Sequence, residues 1–140
     1  GQDMTYTLND SIRYFDDFLI FFAVAIALLF AFTWIYVKIT PYKEITLIRE
    51  GNHAAAISLS GAMLGFALPL ASSVANAVNL VDLLVFAVLA TVVQLIVFVF
   101  VRMLMPGLSD AIHEGEVAPA SFLAAVSIAV GMLNAAALVY

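Results

Sequence analysis

The sequence has no cysteine and few charged side chains. The absence of cysteine excludes disulfide scaffolds, thiolate metal sites and thiol catalysis. Charged residues make up 11% of the 140 residues, and 5 Lys and Arg stand against 10 Asp and Glu, which excludes a basic nucleic-acid-binding face. Hydrophobic residues reach 65%, against about 45–50% in soluble domains. The composition therefore excludes a soluble globule and a disordered chain, and it indicates one domain embedded in membrane lipid.

The few charged residues are confined to three segments and to the single position Asp82. Between them lie four charge-free runs, at residues 18–37, 54–81, 83–101 and 117–140. A hydrocarbon core about 30 Å thick needs about 20 helical residues, and each run is close to that length or longer. The runs do not alternate polar and apolar residues as barrel strands do. The sequence therefore predicts an all-α integral membrane protein with four transmembrane helices.

Positively charged residues indicate how these helices are oriented. The loops at 38–53 and 102–116 carry Lys and Arg, whereas Arg13 is the only basic residue elsewhere. The positive-inside rule then predicts that both loops are cytoplasmic and both termini periplasmic. The single membrane domain divides into five segments: a periplasmic N-terminal segment at 1–17, a first helix and loop at 18–53, a second helix and outer loop at 54–81, a third helix and loop at 82–116, and a fourth helix at 117–140.

The two cytoplasmic loops resemble each other. Lys38 and Gly51 in the first correspond to Arg102 and Gly115 in the second, with an offset of 64 positions. Each loop has proline and polar residues that can open a short helix before the glycine ends it. We therefore predict two tandem parallel repeats, each a helix, a short elbow helix and a second helix, related by an axis along the membrane normal. The alternative is that two short loops resemble each other by chance.

Small residues distinguish the second and fourth helices from the other two. Gly61 and Gly65 are four residues apart, and Gly131 lies among alanine and serine residues. Because such spacing lets helices approach closely in lipid, we expect these two helices to pack together. Pro69 removes the hydrogen bond to the carbonyl of Gly65, so a kink is expected there. The kink is either a structural bend or part of a gate.

Several polar residues lie within or beside the predicted spans. Asp82, with Asn76 and Asn79 nearby, either caps the third helix or contacts a cation or proton in a cavity. Gln94 and Asn134 lie deeper, and either form hydrogen bonds between helices or line a polar path. These five residues are the candidate ion or polar contacts.

The elbows contain the remaining candidates, with Lys43, Arg49, His113 and Glu114 as a possible docking surface for a partner. His53 and His113 could share a metal only if the two loops converge, and solvated loop residues are the alternative. The sequence has no phosphate loop, dinucleotide glycine motif, serine elbow or zincin signature. We therefore expect no enzyme activity, no cofactor and no metal site.

Five motifs in order resemble a known family. They lie at residues 38–44, 60–73, 94–98, 101–109 and 134–136. Together they are similar to the YjfL-like small inner-membrane proteins of bacteria, called domain of unknown function 350, from about Leu8 to Tyr140. The resemblance implies four helices with duplicated halves in the bacterial cytoplasmic membrane, and an association with peripheral envelope-stress proteins resembling phage shock protein A. It implies no activity and no catalytic residues.

Two functions fit these observations. The first is a homo-oligomeric channel or transporter for ions or small polar solutes, because four short helices leave little room for a pore in one protomer. The second is a non-transporting anchor or scaffold, whose elbows recruit a peripheral envelope-stress protein.

Overall fold

The computed structural model describes residues 2–138, and their side chains from residue 7 onward. Over these residues the regular structure is entirely helical. The helices in chain order are α1 (Gln2–Ile39), α2 (Glu44–Arg49), α3 (His53–Asn76), α4 (Leu80–Leu104), α5 (Leu108–His113) and α6 (Val117–Ala137).

Four of these helices are long and apolar enough to cross a membrane. The spans are Thr7–Ile39 in α1, His53–Asn76, Leu80–Leu104 and Val117–Ala137. The shortest has 21 residues, or about 31 Å at about 1.5 Å per residue, which matches a hydrocarbon core of about 30 Å. The prediction of an all-helical fold with four membrane-spanning helices is confirmed.

The bounds of the helices differ from the bounds of the charge-free runs. The N-terminal segment at 1–17 is not separate from the first span, because α1 is already helical at Gln2. Charged side chains end a hydrophobic run but do not end a helix, and no proline or glycine occurs in α1. The run at 54–81 is shortened, since α3 stops at Asn76. The last helix reaches Ala137, and residues 139–140 of the predicted span, including Tyr140, lie outside the described residues.

Helix α3 lies at the centre of the fold, where it contacts α1, α4 and α6. Its closest neighbour is α6, because glycines remove the side chains between the two backbones. A Cβ placed on Gly61 would lie 2.4 Å from the Cα of Ala124, and one on Gly131 would lie 2.2 Å from the carbonyl oxygen of Gly65. Such close approach gives membrane helices the dispersion contacts that hold them together.

Pro69 is buried inside α3, and the helix continues through it to Asn76. The carbonyl of Gly65 lacks its usual hydrogen-bond donor because Pro69 has no N–H. It lies against the backbone of Gly131. A Cα–H of glycine is a weak donor to such an oxygen. The freed carbonyl is therefore covered by α6, and the hydroxyl of Ser73 donates to the carbonyl of Pro69 at 2.8 Å.

Aromatic rings fill the end of the core that adjoins the short helices. Phe32 of α1 stacks on Phe66 of α3 with ring centroids 4.3 Å apart. Tyr36 and Tyr42 both pack on Phe98 of α4, at 6.0 and 6.3 Å. These contacts hold the C-terminal half of α1, and the chain that follows it, against the other long helices.

Candidate functional site

Two of the three connections between the long helices, α1 to α3 and α4 to α6, have similar backbones. Short helices α2 and α5 each have six residues and are followed by a glycine with positive φ, +88° at Gly51 and +85° at Gly115. Left-handed glycines of this kind end helices without a steric cost. The amide of Gly51 donates to Ile48 and that of Gly115 to Ile112, both at 3.0 Å. Corresponding bonds in the two connections are again 64 positions apart.

Asn52 joins the two connections. Its side-chain oxygen accepts a hydrogen bond from the amide of Ala55 at 2.9 Å, which caps α3. Its amide nitrogen donates to the carbonyls of Ile112 and His113 at the end of α5, at 3.0 and 3.1 Å. Sequence reasoning did not select Asn52, although an asparagine between a glycine and a helix is a capping signal.

The predicted docking residues lie around this junction. A groove of about 520 Å³ between α2 and α5 is lined by Lys43 and His113, and a second of about 380 Å³ by His113 and Glu114. Arg49 is exposed at the end of α2 and lines neither groove. The two loops therefore converge, but the described residues contain no group of three His, Asp or Glu side chains that could hold a metal.

A buried polar cluster lies between α1, α2 and α3. The carboxyl of Glu44, the first residue of α2, is 0% exposed. Its Oε1 accepts a hydrogen bond from the hydroxyl of Thr40, while Oε2 has no hydrogen-bond partner. The hydroxyls of Tyr36 and Tyr42 are also buried without partners, and Tyr42 adjoins Ser58 of α3. We call these five residues the Glu44 cluster.

Burial controls the ionisation of this carboxyl. Removal from water raises the pKa of Glu44 to about 7, and the hydrogen bond from Thr40 opposes that rise. Burial and the neighbouring Glu44 also raise the pKa of Tyr42. No basic side chain among the described residues forms an ion pair with Glu44, and Lys38 instead lies 5.5 Å from the ring of Trp34. Glu44 therefore changes charge near neutral pH, where most carboxyls remain ionised.

The Glu44 cluster has the chemistry of a proton or small-cation site. One carboxylate and several hydroxyl oxygens converge, and oxygen atoms of this kind bind small hard cations. A groove of about 440 Å³ beside the cluster is lined by Thr40, Tyr42, Lys43 and Glu44. Sequence reasoning did not select Glu44. No helical periodicity could have found it, because α1 ends at Ile39 and Glu44 begins the next helix.

The candidates at the opposite end of the bundle take part in local hydrogen bonds at the ends of α3 and α4. The side-chain oxygen of Asn79 accepts a hydrogen bond from the amide of Asp82 at 2.9 Å, so Asn79 is the cap of α4 and Asp82 a half-buried acid in its first turn. Asn76 is exposed and donates to the carbonyl of Ser72 at 2.8 Å. The structure therefore does not gather these three residues into a buried site.

The two deeper amides lie close to the contact between α3 and α6. Gln94 is buried, and its Nε2 donates to the carbonyl of Ser127 at 3.1 Å beside Gly65. Asn134 is half-buried, and its amide nitrogen has no partner among the described residues. Ser72 links the same helices by donating to the carbonyl of Ala135 at 3.0 Å. Gln94 thus donates a hydrogen bond from α4 to α6, while its Oε1 has no partner among the described residues.

Four spanning helices, two helical connections and a buried acid define a small polytopic membrane protein. The chain belongs to the family described as Domain of Unknown Function (DUF350), whose model matches residues 7–138. The "UPF0719 inner membrane protein YjfL" of Escherichia coli strain K12 is 38% identical over 120 residues, which cover 86% of this chain and 91% of that protein. The protein of the same name from Escherichia coli O157:H7 matches equally.

These comparisons confirm the resemblance seen in the sequence, and they place the protein in the bacterial inner membrane. No solved structure matches the chain at a significant level.

Proposed function

We propose that this protein is a homo-oligomeric channel or transporter for protons or other small cations, with Glu44 as the residue that binds the ion. The observation that carries the proposal is the burial of this carboxyl with one oxygen unpartnered and no basic side chain paired with it. An unpaired buried acid costs stability, and such residues usually have a function. A protein that served only as a membrane anchor would gain nothing from a buried acid that lowers its stability.

The oligomer provides the remainder of the path. Within one protomer, Gly61, Gly65 and Gly131 bring α3 and α6 into backbone contact, which leaves no room for a pore between them. The path then leads from the Glu44 cluster, which is buried within one protomer, to the interface between protomers, with Asn134 and Asp82 as candidate contacts beyond the cluster.

The orientation and the internal repeat belong to the same proposal. Four of the five basic residues lie in or beside the two connections, so the elbows and the Glu44 cluster face the cytoplasm and both termini are periplasmic. The corresponding hydrogen bonds that end α2 and α5, and the left-handed Gly51 and Gly115, support a tandem duplication of a unit made of two long helices and an elbow. The two halves are then parallel copies around an axis normal to the membrane.

Ion flux into proteoliposomes tests this function. We expect a proton or potassium gradient to drive flux through the wild-type protein, and Glu44→Gln to reduce that flux at least tenfold because the neutral amide cannot exchange a proton. Glu50→Gln is the matched control, since Glu50 is an exposed acid on the same elbow. Equal flux through wild type and Glu44→Gln would refute the assignment of the site. Absence of flux for every ion and gradient would refute transport.

The junction of the connections favours a second candidate function, a scaffold for a peripheral cytoplasmic protein. Asn52 ties α3 to the end of α5, so the residues around the grooves form one surface. Lys43, His113 and Glu114 line these grooves, and Arg49 is exposed at the end of α2. This surface would bind an envelope-stress protein by charge complementarity.

Co-purification from membranes tests the scaffold. Reversing the charges of Lys43 and Arg49, together with His113→Ala and Glu114→Lys, should remove a bound cytoplasmic protein that Asp82→Asn, a change at the opposite end of the bundle, leaves in place. If every partner stays bound to the altered elbows, this surface does not dock it.

A further inference from the structure

One face of α1 carries a stripe of large apolar side chains that the protomer leaves uncovered. Six side chains follow one another at spacings of four and three residues, and each is between 40% and 61% exposed. We call them the α1 stripe: Leu8, Ile12, Phe15, Leu19, Phe22 and Ile26. Another face of the same helix, which includes Phe21, Leu28 and Phe32, packs on the core. Phe22 and Ile26 border the groove of about 580 Å³ between α1 and α3, whereas Leu8, Ile12, Phe15 and Leu19 lie outside that groove.

Lipid cannot cover the whole stripe. The span from Thr7 to Ile39 has 33 residues and is about 50 Å long at about 1.5 Å per residue, whereas the hydrocarbon core is about 30 Å thick. About 20 Å of helix therefore extends beyond the core. Leu8, Ile12 and Phe15 lie in this extension among charged residues, and they are 58%, 61% and 60% exposed. Apolar side chains that extend into water in a row mark a contact surface.

The spacing of the stripe identifies what covers it. Alternating steps of four and three residues are the heptad pattern of a coiled coil, in which two helices pack along their apolar seams. Two copies of one membrane protein have the same orientation, so their α1 helices are parallel. In a parallel pair, Ser11 would lie opposite Asp16 of the other copy, and a hydroxyl can donate to a carboxylate. Asp10, Arg13 and Asp17 fall on the outer positions, so no like charges meet across the seam.

We propose that α1 of a second copy of this chain covers the α1 stripe, forming a parallel coiled coil that begins outside the bilayer and continues into it. This contact rests on the homo-oligomer of the proposed function and names its surface. It does not depend on Glu44, which lies in α2, beyond the C-terminal end of α1.

Cysteine cross-linking tests the contact directly, because the chain has no cysteine of its own. Ile12→Cys and Phe15→Cys place single thiols on the seam, and Arg13→Cys is the matched control at the same height on an outer position. In membranes treated with a mild oxidant, we expect a disulfide-linked dimer for the two seam variants, at least fivefold more than for the control. Equal cross-linking at all three positions, or none, would overturn the proposal.

A second measurement does not depend on added thiols. Ile12→Asp with Phe15→Asp puts like charges on the seam outside the bilayer and leaves the protomer core unchanged, so the helices should stay folded. We expect energy transfer between labelled copies in proteoliposomes to fall to the level of a non-interacting membrane protein. Unchanged transfer would refute the contact. If flux depends on Glu44 but the seam variants do not cross-link, the transport proposal holds and the coiled coil is refuted. If the seam variants cross-link but no flux is seen, the coiled coil holds and transport is refuted.

Discussion

The buried carboxyl of Glu44 makes the stability of this protein depend on pH. Because the pKa is raised from 4.5 to about 7 in the folded state, the folded protein holds a proton that the unfolded chain releases. The contribution of Glu44 to stability is therefore greatest below about pH 4.5 and falls as the pH rises towards 7. At about 1.4 kcal/mol for each tenfold change in proton affinity, the full loss is roughly 3 kcal/mol.

The assay is thermal unfolding in detergent, followed by far-UV circular dichroism over this range of pH. Glu44→Gln should abolish most of the decline, since a buried amide resembles the protonated acid in shape and hydrogen bonding. Glu50→Gln, which alters an exposed acid of the same elbow, should retain the decline. Thr40→Val should extend the decline to higher pH, because loss of the hydroxyl that donates to the carboxylate raises the pKa of Glu44 further. A wild-type curve parallel to that of Glu44→Gln would refute the buried, unpaired state of this carboxyl.

Two further predictions concern packing and the junction of the connections. Gly131→Ala should destabilise the protein by about 1–3 kcal/mol, because its methyl group would meet the backbone of Gly65 at 2.2 Å. Gly107→Ala should have little effect, as nothing lies within 4 Å of its Cβ position, and equal unfolding midpoints for the two variants would contradict this packing. Asn52→Ala should cost about 0.5–2 kcal/mol for the lost cap and more for the lost contact with α5. Asn52→Ser should restore only the cap, so amide hydrogen exchange at the end of α5 should be fast in both variants, and protection retained in both would show that the side chain does not join the connections.

Much of the architecture follows from local sequence. The four spans can be predicted from the sequence because only long apolar helices, whose backbone groups are all hydrogen-bonded, are stable across lipid. Whether a segment meets this condition depends on consecutive residues alone. The position of Gly61, Gly65 and Gly131 between α3 and α6 also agrees with their spacing. The helical start of α1 was not predicted. Charge placement predicts a separate N-terminal segment at 1–17, although charged residues mark only the end of the hydrocarbon and not the end of a helix.

The candidate site could not be derived in the same way. Asp82 is an isolated charge in the sequence, yet it lies in the first turn of α4 beside the Asn79 cap. Glu44 is one of several acids in a polar loop, yet it is fully buried. Nothing near it in the chain distinguishes it from Glu50, which is exposed.

Sequence alone determined that the protein lies in membrane lipid, how many helices span the membrane and which residues allow close helix packing. Each of these depends on neighbouring residues and on the thickness of the bilayer. The tertiary structure decided which polar groups are buried. Burial of Glu44 requires α1, α2 and α3 to meet, and the bond from Asn52 to His113 joins residues 61 positions apart. Contacts between distant segments set the local dielectric, and the dielectric sets the protonation of the acid on which the proposed function rests.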